Sequence, residues 1–372
     1  MEKQDLSKLT QKDFINELPS MVSLMDSYRS GSNNRKPIEI TLGEVAEGKW
    51  GISQDELFEK IGINPHVDTM ENIFTMPQQN IRWIVPEIIR QAITLGMRQA
   101  PFYPEIIASD QSINGLSAIM PMINMSDAAP AKVNEAETIP LGEVSFGQKS
   151  VSLFKIGKGF KMTDEVKNYV SIDVLGIYLR DFGIQLGYAM DTLAMDVVIN
   201  GNKPDGSESA PIIGVYETAQ GITYKDLLHI WVRAARMGRN FQTMIGGEDQ
   251  AIELLNLPEF KDRHSGTTQA TLNVKSPVPS SANFYIHPGT PNQQLLLIDT
   301  SAALIKLTAR QLMLESERIV SNQTEAVYAS LTTGFSKMYR DAALLLAADR
   351  RFTELGFPDF MNVDPYLLVN LE

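Results

Sequence analysis

The chain has no cysteine, which excludes disulfides, a thiolate metal site and a cysteine nucleophile. It is also short of positive charge: 33 Lys and Arg stand against 45 Asp and Glu, a formal net charge of −12. So acidic a chain lacks the overall basic field of a protein that grips phosphate backbones, although a local basic face remains compatible with it. No uninterrupted apolar run reaches the roughly 18 residues that span a bilayer, and Met1–Pro19 lacks the apolar core of a secretion signal. These absences point to a protein made and kept in the cytoplasm, with no membrane partner. What is present is ordinary for a folded protein. Hydrophobic residues make up 43% and charged residues 21% of 372 positions, enough for two or three domains, or one elaborate domain with large excursions.

Chemistry-bearing patterns are equally sparse. The four histidines, His66, His229, His264 and His287, stand far apart, and none pairs with another at the i, i+4 spacing of a metal site. Gly246-Gly247-Glu248-Asp249 follows a strand pattern and opens a helix, but it lacks the third glycine of a dinucleotide fingerprint and the Lys-Ser/Thr of a P-loop. Its acidic pair complements a helix dipole and repels phosphate. Gly157-Lys158-Gly159 lies inside a strand pattern and reads as a kink or bulge. Asp173, Asp181, Asp191 and Asp196 are spaced by eight, ten and five. No two of them share a helix face as neighbours, so they read as a solvated or interface-lining row. Arg233, Arg236 and Arg239 recur every third residue, and Arg340, Arg350 and Arg351 cluster late; intersubunit ion pairs or nucleic-acid contact both fit. There is no Gly-x-Ser-x-Gly elbow. The sequence therefore names no catalytic, cofactor-binding or metal-binding residue, and it points to no enzyme and no cofactor.

Order along the chain is more telling. Residues 1–75 form a region of their own, either a small appended domain or an extended arm. Within it Ser53 and Glu56 make a capping box for a short helix carrying Leu57, Phe58 and Ile61, stopped by Gly62. Tyr28 to Lys36 reads as a loop. In Ile81–Ile107 the prolines Pro86, Pro101 and Pro104 enclose a helix over Glu87–Arg98, which reads as a strap rather than core. After the small, polar stretch around Ala128–Pro140, apolar residues and lysines 149, 155, 158 and 161 alternate from Val144 to Thr163. That period of two predicts a long, half-exposed hairpin with few side chains for a private core, one that must lie against another chain. Ser171–Asn200 then predicts one long helix, with Ile172, Leu175, Leu179, Phe182, Leu186, Ala189, Leu193 and Val197 at helical intervals. Its length is roughly 45 Å, and Gly176, Gly183 and Gly187 permit close packing or a bend. A mixed α/β unit follows: helices over Tyr224–Met237 and Glu248–Leu255, and strands at Phe241–Ile245 and Gln294–Ile298. Two long strands are expected over Ala303–Ile319 and Glu325–Tyr339, and a closing helix over Arg340–Phe352.

This order resembles the major capsid proteins of tailed bacteriophages with the Hong Kong 97-type fold. Local stretches share the likeness. Glu137-Thr138-Ile139-Pro140 through Lys161-Met162-Thr163-Asp164-Glu165 resembles that family's passage from extended loop to spine helix. Asp191 to Gly201 is similar to its helix end, and Leu296-Leu297-Ile298-Asp299 to the strand and turn before its long strands. The resemblance implies an α+β, Hong Kong 97-like capsid fold. In it 1–75 is an N-terminal extension, 76–121 the N-arm and start of the peripheral domain, and 122–162 the extended loop. Residues 163–204 hold the spine helix, 205–300 the axial domain, 301–342 the long strands, and 343–372 the C-terminal segment of the axial domain. It further implies a structural subunit that self-assembles into hexamers and pentamers of an icosahedral phage head. Such a head encloses double-stranded DNA without reading its sequence, and portal, scaffolding and head-decoration proteins are its expected partners. The expected location is the virion, after assembly in the host cytoplasm. Some relatives join subunits through a Lys–Asn isopeptide bond, but no matching Asn and Glu are assignable here. Two alternatives remain open at this point: an encapsulin-like nanocompartment shell, and an α/β nucleotide-binding enzyme.

Overall fold

The computed structural model describes residues 9–29, 40–77, 79–99, 102–113, 115–120, 149–216, 221–236, 238–257 and 283–358. They fall into two compact units: one from the chain before residue 102 with 154–190 and 308–333, the other from 102–153, 191–307 and the chain after 333.

The first unit begins with helices α1 (Gln11–Arg29), α2 (Leu42–Trp50), α3 (Gln54–Ile61) and α4 (Met70–Thr75). Reciprocal capping boxes start α2 and α3, Thr41 with Glu44 and Ser53 with Glu56, so orphan N–H groups are satisfied at the first turn of each helix. Gly62 ends α3 at φ 80°, a left-handed conformation that glycine adopts without penalty. The helices bury Phe14, Leu18, Met21 and Met25 with Leu42, Trp50, Leu57 and Ile61. Phe14 meets the Trp50 ring edge-on at 4.9 Å. The expected loop from Tyr28 starts later than the pattern indicated, because α1 runs through Arg29; residues 30–39 lie outside those described.

Helix α5 (Ile84–Gln99) is core and not a strap: Ile84, Val85, Ile89 and Ile93 are buried. It crosses helix α7 (Ile172–Asn200, 29 residues) backbone to backbone. A Cβ on Gly96 would lie 2.0 Å from the Arg180 carbonyl oxygen, and one on Gly183 would lie 2.1 Å from that of Ile93. The expected stripe of α7 is buried through Leu186 and again at Val197; between them Ala189 is exposed and Leu193 half-buried, and Met190 and Ala194 lie inward beside them.

The alternating run after residue 143 is not one hairpin. In the second unit, strands β1 (Ile107–Ser112) and β2 (Ser117–Met120) follow a single 3-10 turn, and β2 pairs antiparallel with β3 (Lys149–Ser152), Met120 opposite Lys149. In the first unit, β4 (Phe154–Thr163) pairs antiparallel with β10 (Thr324–Lys337), from Thr163 opposite Thr324 to Phe154 opposite Thr333. Periodicity identified strands but not their partners, and β4 finds its partner within the chain. Val144 to Gln148 lie outside the described residues. Short helix α6 (Asp164–Tyr169) joins β4 to α7.

The second unit holds a five-stranded sheet in the order β5-β11-β8-β6-β7. Its strands are β5 (Ile212–Val215), β6 (Thr243–Gly246), β7 (Asn283–Ile286), β8 (Gln294–Ile298) and β11 (Ala343–Arg351). Helices α8 (Tyr224–Arg236) and α9 (Glu248–Asn256) accompany it, and Leu227, Ile230, Trp231 and Leu254 pack with Leu295, Leu297, Leu344 and Leu346. The expected closing helix over Arg340–Phe352 is instead β11, parallel to β5 and antiparallel to β8. Ala343 to Ala348 are buried without interruption, and a strand covered on both faces shows no alternation to betray it. The long strand β9 (Leu304–Ile319) and β10 fall where expected.

Candidate interaction surfaces

The side of α7 opposite its buried stripe exposes several large apolar residues among polar ones. Val174 is 44% exposed, Ile177 65%, Tyr178 69% and Tyr188 53%. At about 100° per residue these four fall within an arc of roughly 100°. Asp181 and Gln185 sit in the same arc, joined by a 2.9 Å hydrogen bond from Gln185 Nε2. By length and composition α7 is apolar enough to cross a membrane, a property that the search for unbroken apolar runs passes over. Over half of its most apolar window (56%) is nonetheless buried within the protein. Val174, Ile177 and Tyr178, exposed together within two turns of a folded helix, offer an apolar contact surface.

Beside it, within the first unit, a cleft of about 440 Å³ is lined by Arg90, Leu95, Arg98, Ile177, Arg180 and Leu312. Its deep end holds Glu87, buried and gripped by both terminal nitrogens of Arg29, one at 2.9 Å. The lining combines arginines with aliphatic walls and offers contact chemistry, not a nucleophile beside a base.

The residues singled out in the sequence are dispersed. His66 pairs through Nδ1 with the Asp173 carboxylate, His229 stacks on Tyr216 at 4.3 Å, and His287 is buried; His264 lies outside the described residues. Among the described residues no group of three acidic or histidine side chains gathers as metal ligands do. Gly246 and Gly247 do link β6 to α9, and Asp249 accepts the Gln293 N–H at 3.1 Å, which commits it to the turn. Gly157 and Gly159 produce neither kink nor bulge. They keep register with Ser330 and Tyr328, and a Cβ on Gly159 would come within 2.6 Å of the Tyr328 ring. Lys158 reaches Gln185 and lies 5.3 Å from the Phe182 ring centre.

Two readings of charged residues are corrected. Asp196 does bond along the helix surface, to Asn200 at 2.7 Å, but Asp191 is only 1% exposed and accepts the Tyr103 N–H at 2.9 Å. Burial pushes its pKa up to about 6, against the pull of the Tyr103 and Phe102 N–H groups. Arg239 is tied within the chain, to Asp341 at 2.9 and 3.0 Å and to Asp299 at 3.8 Å, so it is not held for another subunit. Sequence reasoning also passed over Lys337. Its buried ammonium donates to the Val198 carbonyl at 2.8 Å, in the last turn of α7, and to that of Glu208 at 2.9 Å. The only signal in the sequence was a lysine closing a run of small and apolar strand residues.

No protein-family profile and no curated relative matches the chain. Among solved structures, the virus-like particle from Pyrococcus furiosus aligns at 12% identity with a TM-score of 0.46, over 70% of this chain and 98% of that one. The capsid of the cyanophage P-SCSP1u aligns at 13% and 0.46, over 67% and 88%. The holo-SrpI encapsulin complex from Synechococcus elongatus aligns at 9% and 0.46, over 68% and 88%. At these values the architecture stands on the elements of this chain alone.

Proposed function

We propose that this chain is a shell subunit and, more particularly, the major capsid protein of a tailed phage. It assembles without catalysis into the hexamers and pentamers of an icosahedral head that encloses double-stranded DNA. In this reading it resides in the virion after assembly in the host cytoplasm, and portal, scaffolding and decoration proteins meet the finished lattice. The observation that carries the reading is the exposed apolar cluster Val174, Ile177 and Tyr178 on a 29-residue helix whose opposite side is buried. Single exposed apolar residues are commonplace, but a cluster of them on one helix suits a partner. The order of parts gives further support: helix α5, the β2–β3 pair that flanks 121–148, the long helix, the five-stranded α/β sheet, and the long strands β9 and β10. A net charge of −12 suits a container that must not hold its contents tightly. The test is negative-stain microscopy with sedimentation of the purified protein. Shells are expected from the wild type, and a folded monomer or small capsomer from the double variant Ile177→Asp, Tyr178→Asp. A wild type that stays monomeric under every assembly condition would overturn the reading.

A further inference from the structure

In the second unit the turn Phe102–Ile106 is held from two sides. Phe102 is stacked on Tyr285 at 5.3 Å and meets the His287 ring edge-on at 5.6 Å, while Glu105 accepts hydrogen bonds from the Tyr285 hydroxyl and from Asn283. On the other side the Asp191 carboxylate takes the Tyr103 N–H. The turn leads through β1 into β2, and so into the ribbon that closes residues 121–148.

We propose that Asp191 is a proton-operated latch on this turn: protonated, it holds Phe102–Ile106 closed, and ionised, it lets the turn open more readily. The reasoning is solvation. Closed, a charged carboxylate at this depth has main-chain N–H groups in place of water; open, it regains water, so the charged form favours opening. The charged groups beside the turn have partners of their own. Lys306 lies 5.6 Å from the Tyr103 ring centre and is paired with Asp110 at 3.3 Å, and Glu105 faces Tyr285. His287 acts in the opposite sense. Its Nδ1 accepts the Gly289 N–H at 2.9 Å, and burial lowers its pKa, so its protonation favours opening in acid.

The sign follows from linkage. Asp191 has a pKa of about 6 closed against an ordinary value of 3.8. The closed form therefore binds the proton more tightly, and closure weakens as pH rises from about 4 through about 6. The latch does not depend on the capsid reading, and its test is separate. Hydrogen exchange of the Tyr103 amide, corrected for intrinsic rate, should show the ratio of opening in the wild type to opening in Asp191→Asn rising roughly tenfold from about pH 5 to about pH 7.5, because the His287 titration is common to both and cancels. Asp191→Glu, which keeps a titrating group, should retain the wild-type dependence; the pair separates lost charge from lost fold. A ratio that is unchanged or falls over that range would overturn the proposal.

Discussion

Glycines on α7 look alike in the sequence and differ entirely in place. Gly183 faces Gly96 where α5 and α7 touch, whereas a Cβ on Gly176 would meet nothing within 4 Å. Gly96→Ala or Gly183→Ala forces the helices apart at a contact with no side chain to yield, and about 3 kcal/mol of stability should be lost. Gly176→Ala removes only backbone entropy and should gain about 0.5–1 kcal/mol. Urea unfolding of the disassembled subunit measures both, and equal effects at the two sites would contradict the crossing. The sequence showed that these glycines permit close packing or a bend, but not which did which, because that depends on a helix 80 residues or so away in the chain. Asp191 teaches the same lesson. Counted along the helix it belongs to an acidic row, yet the last turns of α7 are buried over a broader side, Met190, Ala194 and Val198 joining Val197, and Asp191 is buried with them.

At the level of elements, legibility followed exposure on one face. The capped helix α3 and the long helix α7 each have a buried and an exposed side, and their patterns located them to within a few residues; β9 and β10 were located too, although Ala329 to Lys337 of β10 are buried without interruption. β11 was not, because Ala343-Leu344-Leu345-Leu346-Ala347-Ala348 is rich in strong helix formers and is buried on both faces, so the pairing with β5 and β8 overrides propensity. The end of α7 also depends on a distant strand. Lys337 of β10 places its charge on the Val198 carbonyl, where the helix dipole is negative, and Asn202 holds the same strand through the Phe335 carbonyl at 2.7 Å and the Lys337 N–H at 2.9 Å. Lys337→Met keeps most of the buried stem and removes the donor, leaving two carbonyls without it. The expected cost is about 2 kcal/mol, read as a lower urea midpoint with an unchanged slope. A variant as stable as the wild type would mean that water replaces the ammonium and that the helix end needs no charge.

For the whole molecule, the proposed shell role asks which parts fold the chain and which would join copies of it. The ribbon offers a clean cut. Met120 and Lys149 are direct partners, so the chain arrives at and leaves residues 121–148 at one point. An Asn-Gly pair fits a two-residue turn between antiparallel neighbours and matches their twist. Replacing 121–148 by Asn-Gly should therefore leave both units folded: the described residues of α1 to α5, α7 and the five-stranded sheet already supply buried cores, and loop closure becomes less costly when the loop is shorter. The excised stretch carries Asp127, Glu135, Glu137 and Glu143 against Lys132 among small and apolar residues, a composition suited to contact with a second copy rather than to a core of its own. Circular dichroism and thermal unfolding should match the wild type, while sedimentation should show subunits or capsomers and no shells. Full-sized shells from the shortened chain would remove this stretch from assembly and leave the exposed face of α7 to account for subunit joining.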